Sequence, residues 1–179
     1  GRVIDRSIRP LFPKAFKRDV QVIITVLSVD GENDADVLAL VAVSAAIAIS
    51  PIPWNGPIAG VRVGYVPKEG GEGLIVNPTT TQQSLSEFDF IVSSNKDKVV
   101  MLEGGFCETP EAIVSQAVVE AKKANAEIIA LIEELVKEVG KPKFTLPEIS
   151  EADDLKHKIE TDYKKEMDAA FAKKAEKEF

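Results

Sequence analysis

Three arginines stand at Arg2, Arg6 and Arg9, at intervals of four and three residues. On a helix that spacing brings three guanidinium groups to one face. Val3, Ile4, Ile8 and Leu11 fall at the opposite positions and suit a packed core. A guanidinium carries a fork of donors that matches two oxygens of a phosphate. The arginine face is therefore suited to a phosphate backbone. An ordinary surface helix, with its arginines paired to acids such as Asp5, is the competing reading of the same residues.

Net charge and local charge point in different directions. The 179 residues carry 22 Lys and Arg against 29 Asp and Glu, a net charge of −7. A net negative surface argues against nucleic acid as a partner. Residues 1–18, however, hold six basic residues (Arg2, Arg6, Arg9, Lys14, Lys17 and Arg18) against the single acid Asp5. The acids collect in residues 30–36 and from Glu103 onward. Local field, rather than net charge, decides what a given surface attracts.

Other candidate chemistry is sparse. Asp30, Glu32, Asp34 and Asp36 alternate, but the Gly at the sixth position and the Glu at the twelfth that mark a calcium-binding EF-hand loop are missing. They read as an acidic turn in which Asp34 or Asp36 caps the following helix. Glu87 and Asp89 would share one face of a strand, as magnesium-binding carboxylates do, yet one such pair decides nothing. Cys107 is the single cysteine and His157 the single histidine. This excludes an internal disulfide framework, argues against a zinc site and suits a reducing, cytoplasmic compartment. No dinucleotide-binding glycine motif, Walker loop or serine nucleophile elbow occurs. The longest apolar run, Val37 to Ile49, is thirteen residues with Ser44 inside it. That is short of the ~20 residues a bilayer requires, and no signal-peptide pattern opens the chain, so no membrane partner is expected.

The elements that must position these residues follow from periodicity. Residues 1–9 read as an amphipathic helix stopped by Pro10 and Pro13. The chain enters this pattern directly at Gly1, which suggests that the element has sequence before it. Val20 to Val29, VQVIITVLSV, is β-branched and nearly continuous in apolar residues, which predicts a central strand covered on both faces. The segment from about 36 to 50 is apolar almost all round and predicts a buried helix, with Ala42, Ala45, Ala46 and Ala48 allowing close approach. Pro51, Pro53 and Asn55-Gly56-Pro57 break the chain. Ile58 to Val66 and Leu74 to Val76 predict a hairpin turning at Gly70 and Gly71. Phe88 to Val92 and Val99 to Leu102 predict a second, turning at Asn95-Lys96-Asp97. A long helix is predicted from Pro110 to Val139, capped by Thr109 and stopped by Gly140 and Pro142. This order indicates an α+β domain with a mixed or antiparallel sheet over residues 1–142. Residues 143–179 then form a linker and an acidic tail. In the tail Leu155, Ile159, Tyr163, Met167, Ala170 and Phe171 draw a thin helical stripe, which stabilises a helix only against a partner.

These residues carry a resemblance. RVIDRSIRPLFP, VQVIITVLSVDGENDAD, the Ala-rich helix and IPWNGPIAGVRVGYV resemble the first RNase PH-type core domain of the bacterial polynucleotide phosphorylase family. LVKEVGKPK is similar to the junction into that family's all-helical domain. The resemblance covers residues 1–145 and, more loosely, the tail. It implies an RNase PH-like fold (ribosomal protein S5 domain 2-like), lacking its first strands and followed by a helical segment. It further implies a homotrimeric ring that degrades single-stranded RNA from the 3′ end. Inorganic phosphate is the nucleophile, nucleoside diphosphates are released, and the reverse reaction polymerises RNA. RNA-degradation partners are implied as well.

The same resemblance tells the two RNase PH-like copies of such an enzyme apart. The active copy binds phosphate on a Gly- and Ser-rich loop that opens a helix; here that place reads Asp30-Gly31-Glu32-Asn33-Asp34-Ala35-Asp36. The active copy also carries an Asp, then an Asp-x-Lys triplet; here the matching positions are Gln83, Asp89 and Ile91. The expectation is a non-catalytic copy with no catalytic and no metal-binding residue of its own. Mg2+ and phosphate would be held by a domain outside this chain, and Arg2, Arg6 and Arg9 would guide RNA. The alternative is a purely structural or oligomerisation domain whose arginines pair with acids.

Overall fold

The computed structural model describes residues 1–67, 73–147 and 150–175. The expected turn at Gly70 and Gly71 lies outside the described residues. The chain divides into two compact units, residues 1–145 and 146–179.

The first unit is α+β. Helix α1 (Arg2–Ile8) runs into a 3-10 turn at Arg9–Leu11, where Pro10 removes a backbone donor. Helix α2 spans Ala35–Ile49. Four strands follow, β1 (Ala59–Tyr65), β2 (Leu74–Val76), β3 (Phe88–Ser94) and β4 (Val99–Phe106), with the short helix α3 (Thr80–Ser84) between β2 and β3. They form one sheet in the order β2-β1-β3-β4, antiparallel at every pairing. Helix α4 (Glu111–Val139) closes the unit.

Alternation along β1 organises the core, because neighbouring strand residues point to opposite faces. Val61 and Val63 are fully buried in a cluster with Phe88, Phe90 and Val92 of β3 and Ala117 and Ala121 of α4. Gly60 faces α2 instead, and a Cβ there would meet Leu40 Cδ2 at 2.5 Å. A side chain at 60 would force the buried Leu40 side chain to move. A second cluster joins Ile4 and Ile8 of α1, Leu40, Val43 and Ile47 of α2, Trp54, and Ile132 of α4.

Three expectations need correction. Val20 to Val29 is not a strand: it pairs with no described segment, and Ile23, Val26, Leu27 and Val29 are exposed. A ladder needs a partner brought from elsewhere, and the sheet is completed by residues 59–106 alone. Helix α2 is not buried all round: Leu38, Ala42 and Ala46 face outward beside the 20–29 segment. Thr109 does not cap α4. Pro110 stands at the cap position, and the buried Thr109 hydroxyl finds no partner among the described residues. The sheet takes the antiparallel form of the two that were expected: β1–β2 and β3–β4 are consecutive pairs, and the chain returns from β2 through α3 to lay β3 on the other side of β1.

The second unit contains helix α5 (Ser150–Ala175). Leu155, Ile159, Tyr163, Met167 and Phe171 are all exposed on it.

Candidate functional site

The arginine face is built by docking the C-terminal end of α1 and the turn that follows it. Ser7, fully buried, donates its hydroxyl to the Val3 carbonyl (2.8 Å) and shares a hydrogen bond with the Ser93 hydroxyl of β3 (2.9 Å), where the Ser7 oxygen accepts. Trp54 donates its indole N–H to the Ile8 carbonyl at 3.1 Å, and the Asn55 amide donates to the Leu11 carbonyl at 2.9 Å. The Trp54 ring lies 6.3 Å from that of Phe12. The arginine segment and the Pro-Trp-Asn-Gly-Pro segment, two motifs that carry the resemblance, are thus one packed piece. With Ile4, Ser7 and Ile8 buried, Arg2, Arg6 and Arg9 are left exposed.

Two of the three have acidic neighbours. Arg9 donates Nη2 to Asp5 at 2.6 Å and Nε at 3.1 Å, and the hydrogen bond with the Asp5 charge raises its pKa. Arg6 reaches Glu103 of β4 at 3.2 Å. Arg2 makes no ion pair among the described residues. Arg18, in the same basic stretch, lies over the Phe144 ring at 5.4 Å.

The second cluster sits where α2 meets the sheet. Arg62 is buried in the middle of β1, and its guanidinium gathers three carboxylates. Nη1 donates to both oxygens of Asp89 at 2.5 and 2.6 Å. Nη2 donates to Asp36 at 2.6 Å and lies 3.5 Å from Asp34. Burial works against the charge on Arg62, but the Asp89 bond and the charges of Asp36, Asp89 and Asp34 outweigh it and raise its pKa. The register explains the meeting. Arg62 opposes Ile91 on β3, and Asp89 stands two residues along on the same face, a diagonal cross-strand neighbour. Asn77, at φ 50°, holds the Arg62 backbone in both directions: its amide donates to the Arg62 carbonyl (2.7 Å) and its side-chain oxygen accepts from the Arg62 amide (3.0 Å).

The acidic turn is tied down around this cluster. Thr80 donates its hydroxyl and its amide to the Glu32 carbonyl at 2.7 and 2.8 Å. Asp30 accepts from the amides of Glu32 and Asn33 and from the Asn33 side chain. The Asn33 bonds above all hold its pKa down to about 2. Asp34 is the N-cap residue of α2 but makes no side-chain cap bond. Asp34 and Asp36 are turned toward Arg62 instead, which corrects the capping expectation. The loop at 30–36 and Asp89, singled out separately in the sequence, are therefore brought together; the residue that joins them, Arg62, was not singled out. The signal for it was a lone charge inside the strand pattern Gly60-Val61-Arg62-Val63-Gly64.

Neither phosphate nor a divalent ion fits this cluster. Three carboxylates against one guanidinium leave an excess of negative charge, which repels an anion. The carboxylate oxygens that would face a metal face Arg62. Among the described residues no group of three or more His, Cys, Asp or Glu is arranged to hold a metal ion. Glu87 makes no ion pair there, and Cys107 is free and exposed.

The fold and both clusters place the molecule among α+β proteins in which a four-stranded antiparallel sheet is packed by helices. The 3′ exoribonuclease family, domain 1, matches residues 1–53, and domain 2 of the same family matches residues 56–124. The chain belongs to this RNase PH family. It is 46% identical over 159 residues to the polyribonucleotide nucleotidyltransferase of Caldicellulosiruptor saccharolyticus, covering 89% of this chain and 22% of that protein. It is 44% identical over 161 residues to the protein of that name from Sorangium cellulosum, covering 89% and 20%. The chain thus spans about a fifth of the length of these relatives. The crystal structure of rice Rrp46 matches with a TM-score of 0.52 at 13% identity, over 61% of this chain and 51% of that one, which supports the fold alone. No helix among the described residues is long and apolar enough to cross a membrane.

Proposed function

We propose that this chain is the non-catalytic, RNA-guiding and ring-building half of a phosphate-dependent 3′-to-5′ exoribonuclease. The whole enzyme shortens single-stranded RNA, releases nucleoside diphosphates and polymerises RNA in reverse. It works as a homotrimer in the cytoplasm, in mRNA degradation, with partners in an RNA-degradation complex. Mg2+ and phosphate are held by a domain outside this chain. The names the relatives carry support the class of reaction. The observation that carries the division of labour is the pair of clusters: an exposed arginine face on a firmly docked helix, and a carboxylate cluster already filled by Arg62.

The 179-residue chain, given RNA, phosphate and Mg2+, is expected to release no nucleoside diphosphate above background. Sustained phosphate-dependent release would overturn the reading. A purely structural role is the second reading, favoured by the Arg6–Glu103 and Arg9–Asp5 pairs. It predicts no RNA contact at α1.

A further inference from the structure

We propose that Arg62 is a built-in cation that fills the cluster of Asp34, Asp36 and Asp89 and thereby keeps divalent ions out of it. The inference deepens the proposed non-catalytic role, which itself leans on this filled cluster, but its test reads metal binding rather than nucleoside diphosphate release or RNA binding, so the two fail separately.

The distribution of burial is the first ground. The Arg62 side chain is 9% exposed, whereas Asp34, Asp36 and Asp89 are 50%, 41% and 49% exposed. The cation lies at the bottom and the carboxylates form a rim above it. Asp89 is oriented by Arg62 through both of its oxygens, and Asp36 gives one oxygen to Arg62 and the other to the Val37 amide (2.7 Å).

The second ground is the way the guanidinium is held. Its two Nη ends take Asp89 and Asp36 with Asp34 close by, while its buried Nε finds no acceptor among the described residues. The Nη donors of Arg62 are thus committed to the carboxylates. Asn77 fixes the strand beneath it through both backbone groups of Arg62, so the charge has a defined position.

The third ground is chemical. Oxygen-only clusters of two or three carboxylates are what hard divalent cations take. Here a positive charge already stands between them and holds the carboxylates apart around its planar fork. A neighbouring Mg2+ or Mn2+ would face that charge at close range. Removing Arg62 would leave three rim carboxylates free to close on an ion.

The test is a titration of the intact protein with Tb3+, a luminescent hard cation, followed by Mn2+ in thermal unfolding. Arg62→Met removes the charge and keeps an apolar stem in the buried position. Relative to wild type, Arg62→Met should gain one Tb3+ equivalent and a larger rise in melting temperature with Mn2+. Both gains should vanish in Arg62→Met/Asp89→Asn. Arg62→Lys should behave as wild type, because an ammonium still occupies the cluster. If Arg62→Met folds only with Mn2+ present, seen by circular dichroism, the inference stands. It is overturned if Arg62→Met binds no more Tb3+ than wild type, if the gain survives Asp89→Asn, or if Arg62→Met stays unfolded with and without Mn2+.

Discussion

Arg9 and Arg6 each hold an acid, but all four side chains are exposed. Exposed pairs of this kind are screened by solvent and contribute little, so under the proposed function an RNA phosphate would compete for the same guanidinium at small cost. Arg62 is the opposite case: the two carboxylates that bond it, Asp36 and Asp89, come from 26 and 27 residues away in sequence and meet a buried charge. Spacing made the α1 arginines legible, because a helix repeats locally. It could not reveal Arg62, whose partners are assigned by strand register and by the position of α2. Asp30 offers a residue-scale prediction. Its folded pKa, about 2, lies below the ordinary value of about 3.9, so its unfolded state binds protons first on acidification. The order it gives the turn is therefore complete above about pH 4 and is lost as pH falls through about 2. An NMR titration of the Asp30 carboxyl should show that low midpoint, moving up toward the usual carboxylate range in Asn33→Ala. An ordinary midpoint in the wild-type protein would contradict the turn geometry.

At the scale of elements, the hairpins and the long helix were readable because Gly, Pro and Asn punctuate them and because their pairings are local. The 20–29 segment was not: its composition is that of a strand, but β structure exists only in pairs, and no described segment supplies the second member. Its apolar, uncharged and unpaired backbone is also the feature most prone to self-association. The docking of α1 depends on Trp54, which joins the main core cluster and bonds the Ile8 carbonyl. Trp54→Phe keeps a ring and loses that bond, so denaturant unfolding should show a loss of about 1 kcal/mol. Trp54→Ala also empties the site and should cost about 3–5 kcal/mol. Equal losses in the two variants would mean that packing of the indole contributes nothing beyond its hydrogen bond.

For the whole molecule, the two units differ in how they are stabilised. Residues 1–145 carry two buried clusters, whereas α5 leaves its apolar stripe exposed. The first eighteen residues are basic in a chain of net charge −7, and under the proposed function that local field is what a single-stranded RNA would sense. The most direct test is binding of labelled single-stranded RNA to the intact protein over a range of salt concentrations, with wild type compared to Arg2→Ala/Arg6→Ala/Arg9→Ala. The account predicts weaker binding by the variant and a shallower salt dependence, by about one unit of slope for each phosphate no longer neutralised, with the melting temperature nearly unchanged. Unchanged affinity and salt slope, together with a lowered melting temperature, would make the arginines structural and contradict it.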